Sequence, residues 1–126
     1  MKVSYPTIPP GISKIKIGRF ARSVAGAQAV TGVGFSPKIV IFFAFGTGGA
    51  TEIWSNGFDD SIGHRAIVKT GDTEGCAESS TQSIAIQISA GNIIQGYISS
   101  MDADGFTVTW TLTGVASAVV CFLAMR

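Results

Sequence analysis

His64 is the sole histidine of the chain, and Ser55, Asp59, Asp60 and Ser61 stand close to it. A hydroxyl, an imidazole and a carboxylate are the parts of an activated nucleophile, in which the base takes the hydroxyl proton and the acid orients the base. Such a set is defined by geometry, whereas these residues read as a polar loop. Surface or intersubunit polar contacts account for His64 and Arg65 more simply. No catalytic residue is therefore assigned, and the chain is not expected to be an enzyme.

Three other clusters invite a ligand. Asp102 and Asp104 followed by Gly105 match a fragment of a calcium loop, but the later acidic ligand is missing and a hairpin turn explains Asp-x-Asp-Gly equally well. Gly46-Thr47-Gly48-Gly49 follows an apolar run like a phosphate cradle, yet no Lys-Ser/Thr and no helix start come after it. Gly32-Val33-Gly34-Phe35 lacks the rest of a dinucleotide fingerprint and reads as a tight bend into the next strand. No metal and no cofactor is expected. Cys76 and Cys121 are too few for a metal cage and are expected to be free thiols. Trp54, Asn56 and Phe58 read as a loop whose aromatics either stack on a sugar or partner or complete the core. Few basic residues lie near aromatics, so nucleic-acid readout by stacking is not expected.

Short apolar runs separated by Gly, Asn, Asp and Ser clusters must position these groups, and that punctuation is the signature of a sandwich or barrel. About eight strands are predicted, within a range of roughly six to nine, with no helix. In residues 12–20, Lys14 and Lys16 alternate with Ile15 and Ile17, predicting a wet lysine face and a dry isoleucine face. A weak strand covers 27–31. Residues 38–45 are apolar without interruption after Lys38, which predicts a mid-sheet strand covered on both faces. Shorter strands are read at 52–55 and 65–70. Residues 83–89 place Ile84, Ile86 and Ile88 on one face. Residues 92–101 and 106–113 form a hairpin about Asp102-Ala103-Asp104-Gly105, with Phe106, Val108, Trp110 and Leu112 facing the core and the intervening threonines facing out. Residues 118–125, apolar on both faces, should pair near 38–45. The fold class is thus all-β, an antiparallel β-sandwich over residues 12–126 preceded by an extended arm, residues 1–11, whose Pro6, Pro9, Pro10 and Gly11 disfavour helix and sheet interior.

Composition limits what such a domain can be. Of the 126 residues 46% are hydrophobic and 13% are charged, about half the ~25% charged fraction of soluble domains, so part of the surface should be covered in use. The apolar runs at 24–46 and 114–125 are interrupted or fall short of the ~20 residues of a spanning helix, so no membrane partner is expected. Met1-Lys2-Val3-Ser4-Tyr5-Pro6 lacks the apolar stretch of a signal peptide, which predicts synthesis in a cytoplasm. Net charge is +1, yet Lys2, Lys14, Lys16, Arg19, Arg22 and Lys38 precede every acid, from Glu52 to Asp104. A basic arm lying on a neighbour and solvated lysines guarding an edge strand both fit this asymmetry.

Val30-Thr31-Gly32-Val33-Gly34-Phe35-Ser36-Pro37-Lys38 leading into an apolar strand, Asp102-Ala103-Asp104-Gly105-Phe106-Thr107-Val108-Thr109-Trp110, and a last strand with Phe122-Leu123-Ala124 together resemble small bacteriophage virion domains over residues 14–126. These are head decoration (cement) proteins and tail-fibre modules, and the strand plan is also similar to the six-stranded H-type lectins. The resemblance implies a virion structural protein, made in the host cytoplasm and associating as a homotrimer. In the leading form it is a cement protein on which Tyr5, Pro6, Ile8, Pro9, Pro10, Lys14, Lys16, Arg19 and Arg22 meet the major capsid protein or a neighbouring subunit. In the alternative it is a receptor-binding module that presents Trp54, Asn56 and Phe58 to a host glycan. The lectins' sugar-binding positions do not match this chain one by one, so none is carried over.

Overall fold

The computed structural model describes residues 11–22, 24–47, 53–69, 75–89, 91–114 and 117–126. The arm residues Tyr5, Pro6, Ile8, Pro9 and Pro10 lie outside the described residues, as do Gly48 and Gly49. Among the described residues there are ten strands: β1 (Ile15–Ala21), β2 (Gly26–Val30), β3 (Ile39–Thr47), β4 (Trp54–Asp59), β5 (His64–Lys69), β6 (Cys76–Ser79), β7 (Ile84–Ser89), β8 (Asn92–Asp102), β9 (Gly105–Thr113) and β10 (Ser117–Met125). They form a six-stranded sheet in the order β1-β10-β3-β4-β5-β6 and a four-stranded sheet in the order β2-β9-β8-β7. Every pairing is antiparallel. The two sheets pack face to face as the expected β-sandwich.

Alternating strands fill the space between the sheets. Val40, Phe42 and Ala44 of β3 and Ala118, Val120, Phe122 and Ala124 of β10 meet Ile84 and Ile86 of β7, Ile94 and Ile98 of β8, and Phe106, Val108 and Trp110 of β9. Phe106 lies at the centre of an aromatic cluster, edge-on to Phe42 at 5.7 Å and to Phe122 at 5.2 Å between ring centroids, arrangements that the ring quadrupoles favour. The Trp110 indole N–H donates to Gln28 Oε1 at 3.0 Å, so this large ring is buried without stranding its donor. The threonine row of β9 faces outward, as its alternation predicts.

The β8–β9 hairpin is tighter than read: Asp102 pairs with Gly105 across a two-residue turn. Gly105 has φ +157°, and a Cβ there would lie 1.8 Å from the Val30 carbonyl oxygen, so only glycine lets β2 approach the turn. The Asp104 carboxylate accepts the N–H groups of Gly32 and Gly34 at 2.9 and 2.7 Å, and Val33 N–H donates to the Asp104 carbonyl at 3.1 Å. The glycine bend and the Asp-x-Asp-Gly turn, which carry the resemblance in sequence, are thus one structural unit.

Two expectations about faces are corrected. In β1 the isoleucines are not the dry side: Ile15 and Ile17 are 61% and 76% exposed. Phe20 sets the parity of this strand, because its ring packs against Phe106, Trp110 and Phe122, which puts Lys16 on the inward-facing side at the margin of the sandwich. β3 is mid-sheet and paired with β10 as expected, but the described residues cover one face only: Ile39, Phe43 and Phe45 remain exposed. The β6 strand was not anticipated, since Cys76-Ala77-Glu78-Ser79 carries no apolar alternation.

Candidate functional site

Trp54, Asn56 and Phe58 do not form a loop. They occupy one face of β4, hydrogen-bonded between β3 and β5 in the middle of the six-stranded sheet. The polarity of this strand is inverted: Ser55, Gly57 and Asp59 face inward and are buried, while Trp54 and Phe58 face out. Proximity of the second sheet explains the inversion. The chain entering β7 crosses directly over β4, where a Cβ on Gly57 would lie 1.7 Å from the Ser83 carbonyl oxygen. No large side chain fits beneath it, and the backbone groups there need partners. Ser55 Oγ accepts the Ala85 N–H at 3.1 Å.

Asp59, 1% exposed, completes the clasp. Its Oδ2 accepts Ser83 Oγ–H at 2.6 Å, Ile98 N–H at 2.7 Å and His64 Nδ1–H at 3.0 Å, and its Oδ1 accepts Ser61 N–H at 2.8 Å. A carboxylate only accepts, which assigns the proton to His64 Nδ1. The β7 ladder on β8 ends at Ile84 opposite Gly96, so Asp59 supplies the acceptor that Ile98 N–H lacks beyond that point. The His64 ring rests on Tyr97 at 5.0 Å between centroids.

This arrangement contains an aspartate, a histidine and a serine, but not in catalytic order. An activated serine donates to the imidazole nitrogen opposite the aspartate; here Ser83 donates to the aspartate itself. Among the described residues, no hydroxyl is hydrogen-bonded to His64 Nε2. Ser55 and Ser61 contribute a backbone-bound hydroxyl and a backbone N–H, and neither touches the imidazole. Four charge-assisted bonds to one buried carboxylate lock the β4–β5 turn to the second sheet, a positional role. Asp60 caps the same turn by accepting Gly63 and Ile62 N–H groups at 2.6 and 2.9 Å. Those bonds, Gly63 first, hold its carboxyl below the ordinary aspartate value.

The calcium fragment is likewise committed internally. Asp102 accepts the hydroxyls of Ser100 and Thr107 at 2.8 and 2.7 Å. Asp104 is held below the ordinary aspartate value by the amides of Gly32 and then Gly34. No group of three metal-ligating side chains occurs among the described residues.

What the described residues leave uncovered is the outer face of the six-stranded sheet. It presents Ile15 and Ile17 from β1, Ile39, Phe43 and Phe45 from β3, Trp54 and Phe58 from β4, and Ile67 from β5, all exposed, with Val119, Leu123 and Met125 of β10 half-buried among them. Strand register makes the face continuous, since Ile17 lies beside Leu123, which lies beside Ile41, which lies beside Phe58. Contiguous apolar surface of this extent marks an interaction site in soluble proteins. Trp54 and Phe58 stand about 13 Å apart along their strand, with Asn56 between them, and belong to this wall rather than to a separate sugar platform. Cys76 and Cys121 are free and exposed, and both lie on this face, opposite Lys69 and Phe43.

The basic residues do not converge. Arg19 shares the outer face with Ile15 and Ile17, Lys16 points to the other side of β1, and alternation carries Lys14 with it. Arg22 follows the strand, its N–H donating to the Ala118 carbonyl and its guanidinium to the Val24 carbonyl. Lys14 and Ser13 are tied to Arg126 by backbone bonds, so the end of the chain is fastened to the edge of the sheet. No protein-family model matches the chain, and neither a curated protein nor a solved structure matches it.

Proposed function

We propose that this chain is a non-enzymatic structural protein of a bacteriophage particle, most consistent with a head decoration or cement protein, in which neighbouring subunits cover the outer face of the six-stranded sheet. The observation that carries the assembly role is that face: aromatic and aliphatic side chains stand exposed on β1, β3, β4 and β5, with half-buried aliphatics of β10 among them, on a chain with 13% charged residues. Burying such side chains removes about 25 cal/mol per Å2 of apolar surface from water, a driving force the isolated chain leaves unused. Attribution to a phage head rests on the resemblance of the glycine bend, the Asp-x-Asp-Gly hairpin and the last strand. The exposed Lys14, Lys16 and Arg19 supply positive charge along β1 for an acidic capsid neighbour. A broad wall of mixed aromatic and aliphatic side chains fits protein packing better than a sugar, which needs a shaped site with several convergent polar groups.

Cryo-electron microscopy of whole particles carrying this protein tests the proposal. Density on the head lattice, with the outer sheet face against a neighbour, is expected. Density only at a fibre end, together with glycan binding lost in Trp54→Ala, would replace it with the receptor-binding role.

A further inference from the structure

One register row crosses the whole outer face: Arg19, Cys121, Phe43, Asn56, Ile67 and Glu78 are successive pairing partners from β1 to β6. The row begins with a cation and ends with an anion, both exposed. Among the described residues neither makes a salt bridge within the chain. From the row we infer that the outer face binds a second copy of this chain, face to face, about a two-fold axis that runs parallel to the strands and passes between Phe43 and Asn56. This rests on the assembly role of the face, not on the identity of the particle.

The geometry selects both the occupant and the axis. Six strands about 4.8 Å apart place Arg19 and Glu78 on the order of 24 Å from one another, symmetrically about the midpoint between β3 and β4. Rotation about an axis along the strands exchanges the two ends of the row, so Arg19 of each copy lies over Glu78 of its partner, and one operation makes both pairs. An axis across the strands would instead stack Arg19 on Arg19 and Glu78 on Glu78. Isologous contacts of this kind are self-complementary by construction, and stacked sheets pack about 10 Å apart with strands within about 30°. The face measures roughly 25 Å across and 20–25 Å along the strands, on the order of 600 Å2 before side-chain relief, close to the ~800 Å2 per partner of a stable interface. Its centre is apolar, with Arg19 and Glu78 at the rim and Arg65 and Lys69 flanking Ile67 one strand in from the β6 edge; a polar border about an apolar centre is the usual anatomy of a protein–protein contact.

Sedimentation and light scattering of the full chain, with charge reversals, test this. The wild type is expected to be a dimer at micromolar concentration. Arg19→Glu or Glu78→Arg alone should raise the dissociation constant about tenfold, since each reversal converts both symmetry-related attractions into repulsions. The double reversal should return it to within about threefold of wild type, because the pairs are restored with signs exchanged. Cys121, beside Phe43 in the row, should react more slowly with a maleimide as the dimer forms, with peptide mass spectrometry separating it from Cys76. A three-fold mass, or double reversal without rescue, would overturn the axis. A monomer in which Cys121 is shielded until residues 1–10 are deleted would overturn the occupant in favour of the chain's own arm. A monomer with reactive Cys121 that becomes shielded on assembled particles would also overturn the dimer, while leaving the covered face standing.

Discussion

Replacing Asp59 by alanine should be among the most damaging single changes available at a polar position, although nothing about the residue's exposed neighbours suggests it. The carboxylate holds four donors, and two of them, Ser83 Oγ–H and Ile98 N–H, are buried where water does not reach. Each stranded donor costs about 1–3 kcal/mol, and the more accessible His64 and Ser61 donors add a smaller amount, so the total is about 3–5 kcal/mol. Loss of the carboxylate's own desolvation penalty is already contained in such mutational values. Against a stability of about 5–15 kcal/mol this is a large fraction, and for a domain of this size it lowers Tm by roughly 10–20 °C. Asp59→Asn keeps the shape: with its amide nitrogen at the Oδ1 position it gives up the Ser61 bond and retains three weaker, neutral bonds, for about 2 kcal/mol. Ser83→Ala removes one donor together with its need, for about 1 kcal/mol. Urea unfolding followed by circular dichroism measures all three, and an unchanged m-value would show that the native fold is retained. A cost below about 1 kcal/mol for Asp59→Ala, or a Ser83→Ala cost exceeding it, would refute the clasp.

Gly57→Ala should prevent folding or cost more than about 3 kcal/mol, because the new Cβ falls on backbone rather than on a side chain that can turn away; a soluble variant with wild-type Tm would contradict the cross-over packing. Asp104→Asn should flatten the acid limb of the stability profile. The folded-state carboxyl lies below its ordinary value, so its contribution is present above about pH 4 and is lost as pH falls through the lower folded value. Unfolding midpoints of wild type and variant should therefore converge in acid, and parallel profiles would argue against the amide cradle. Lys14→Thr with Lys16→Thr should leave the unfolding midpoint within about 0.5 kcal/mol but promote higher-order aggregates seen by light scattering, since charge on an edge strand opposes edge pairing; an unchanged size distribution would dismiss that guarding role.

Where one face of a strand meets this chain's own core, its alternation was readable. Phe106, Val108, Trp110 and Leu112 against four threonines gave β9 its inward face, and the isoleucines of β7 did the same. β3 and β10 were recognisable as central partners because both are apolar at nearly every position. The same property concealed which side is uncovered, since apolar residues on both faces of a strand do not say which face meets the chain's own core. β4 is the extreme case. Its aromatics face out and its serine, glycine and aspartate face in, because a crossing segment twenty-odd residues away leaves space only for small groups that can accept hydrogen bonds. Asp59 and His64, near in sequence, suggested chemistry. The donors that explain them, Ser83 and Ile98, arrive from 24 and 39 residues away, and that pairing has no local signature.

Edges and faces compete as routes to association, and the placement of charge separates them. Among the described residues β1 ends the six-stranded sheet, with its outer backbone edge unpaired, a template for another strand. Lys14, Lys16 and Arg19 are exposed along it, so antiparallel pairing of two β1 edges would set cations against cations, a destabilising arrangement. The outer face has no charge at its centre: Arg19 and Glu78 stand at the two ends of its central row, and Arg65 and Lys69 lie on β5 toward the β6 edge. A chain so poor in charge cannot guard every surface. It concentrates positive charge on the edge, where association would be open-ended, whereas the face proposed for a two-fold contact, which would close on itself, is apolar at its centre.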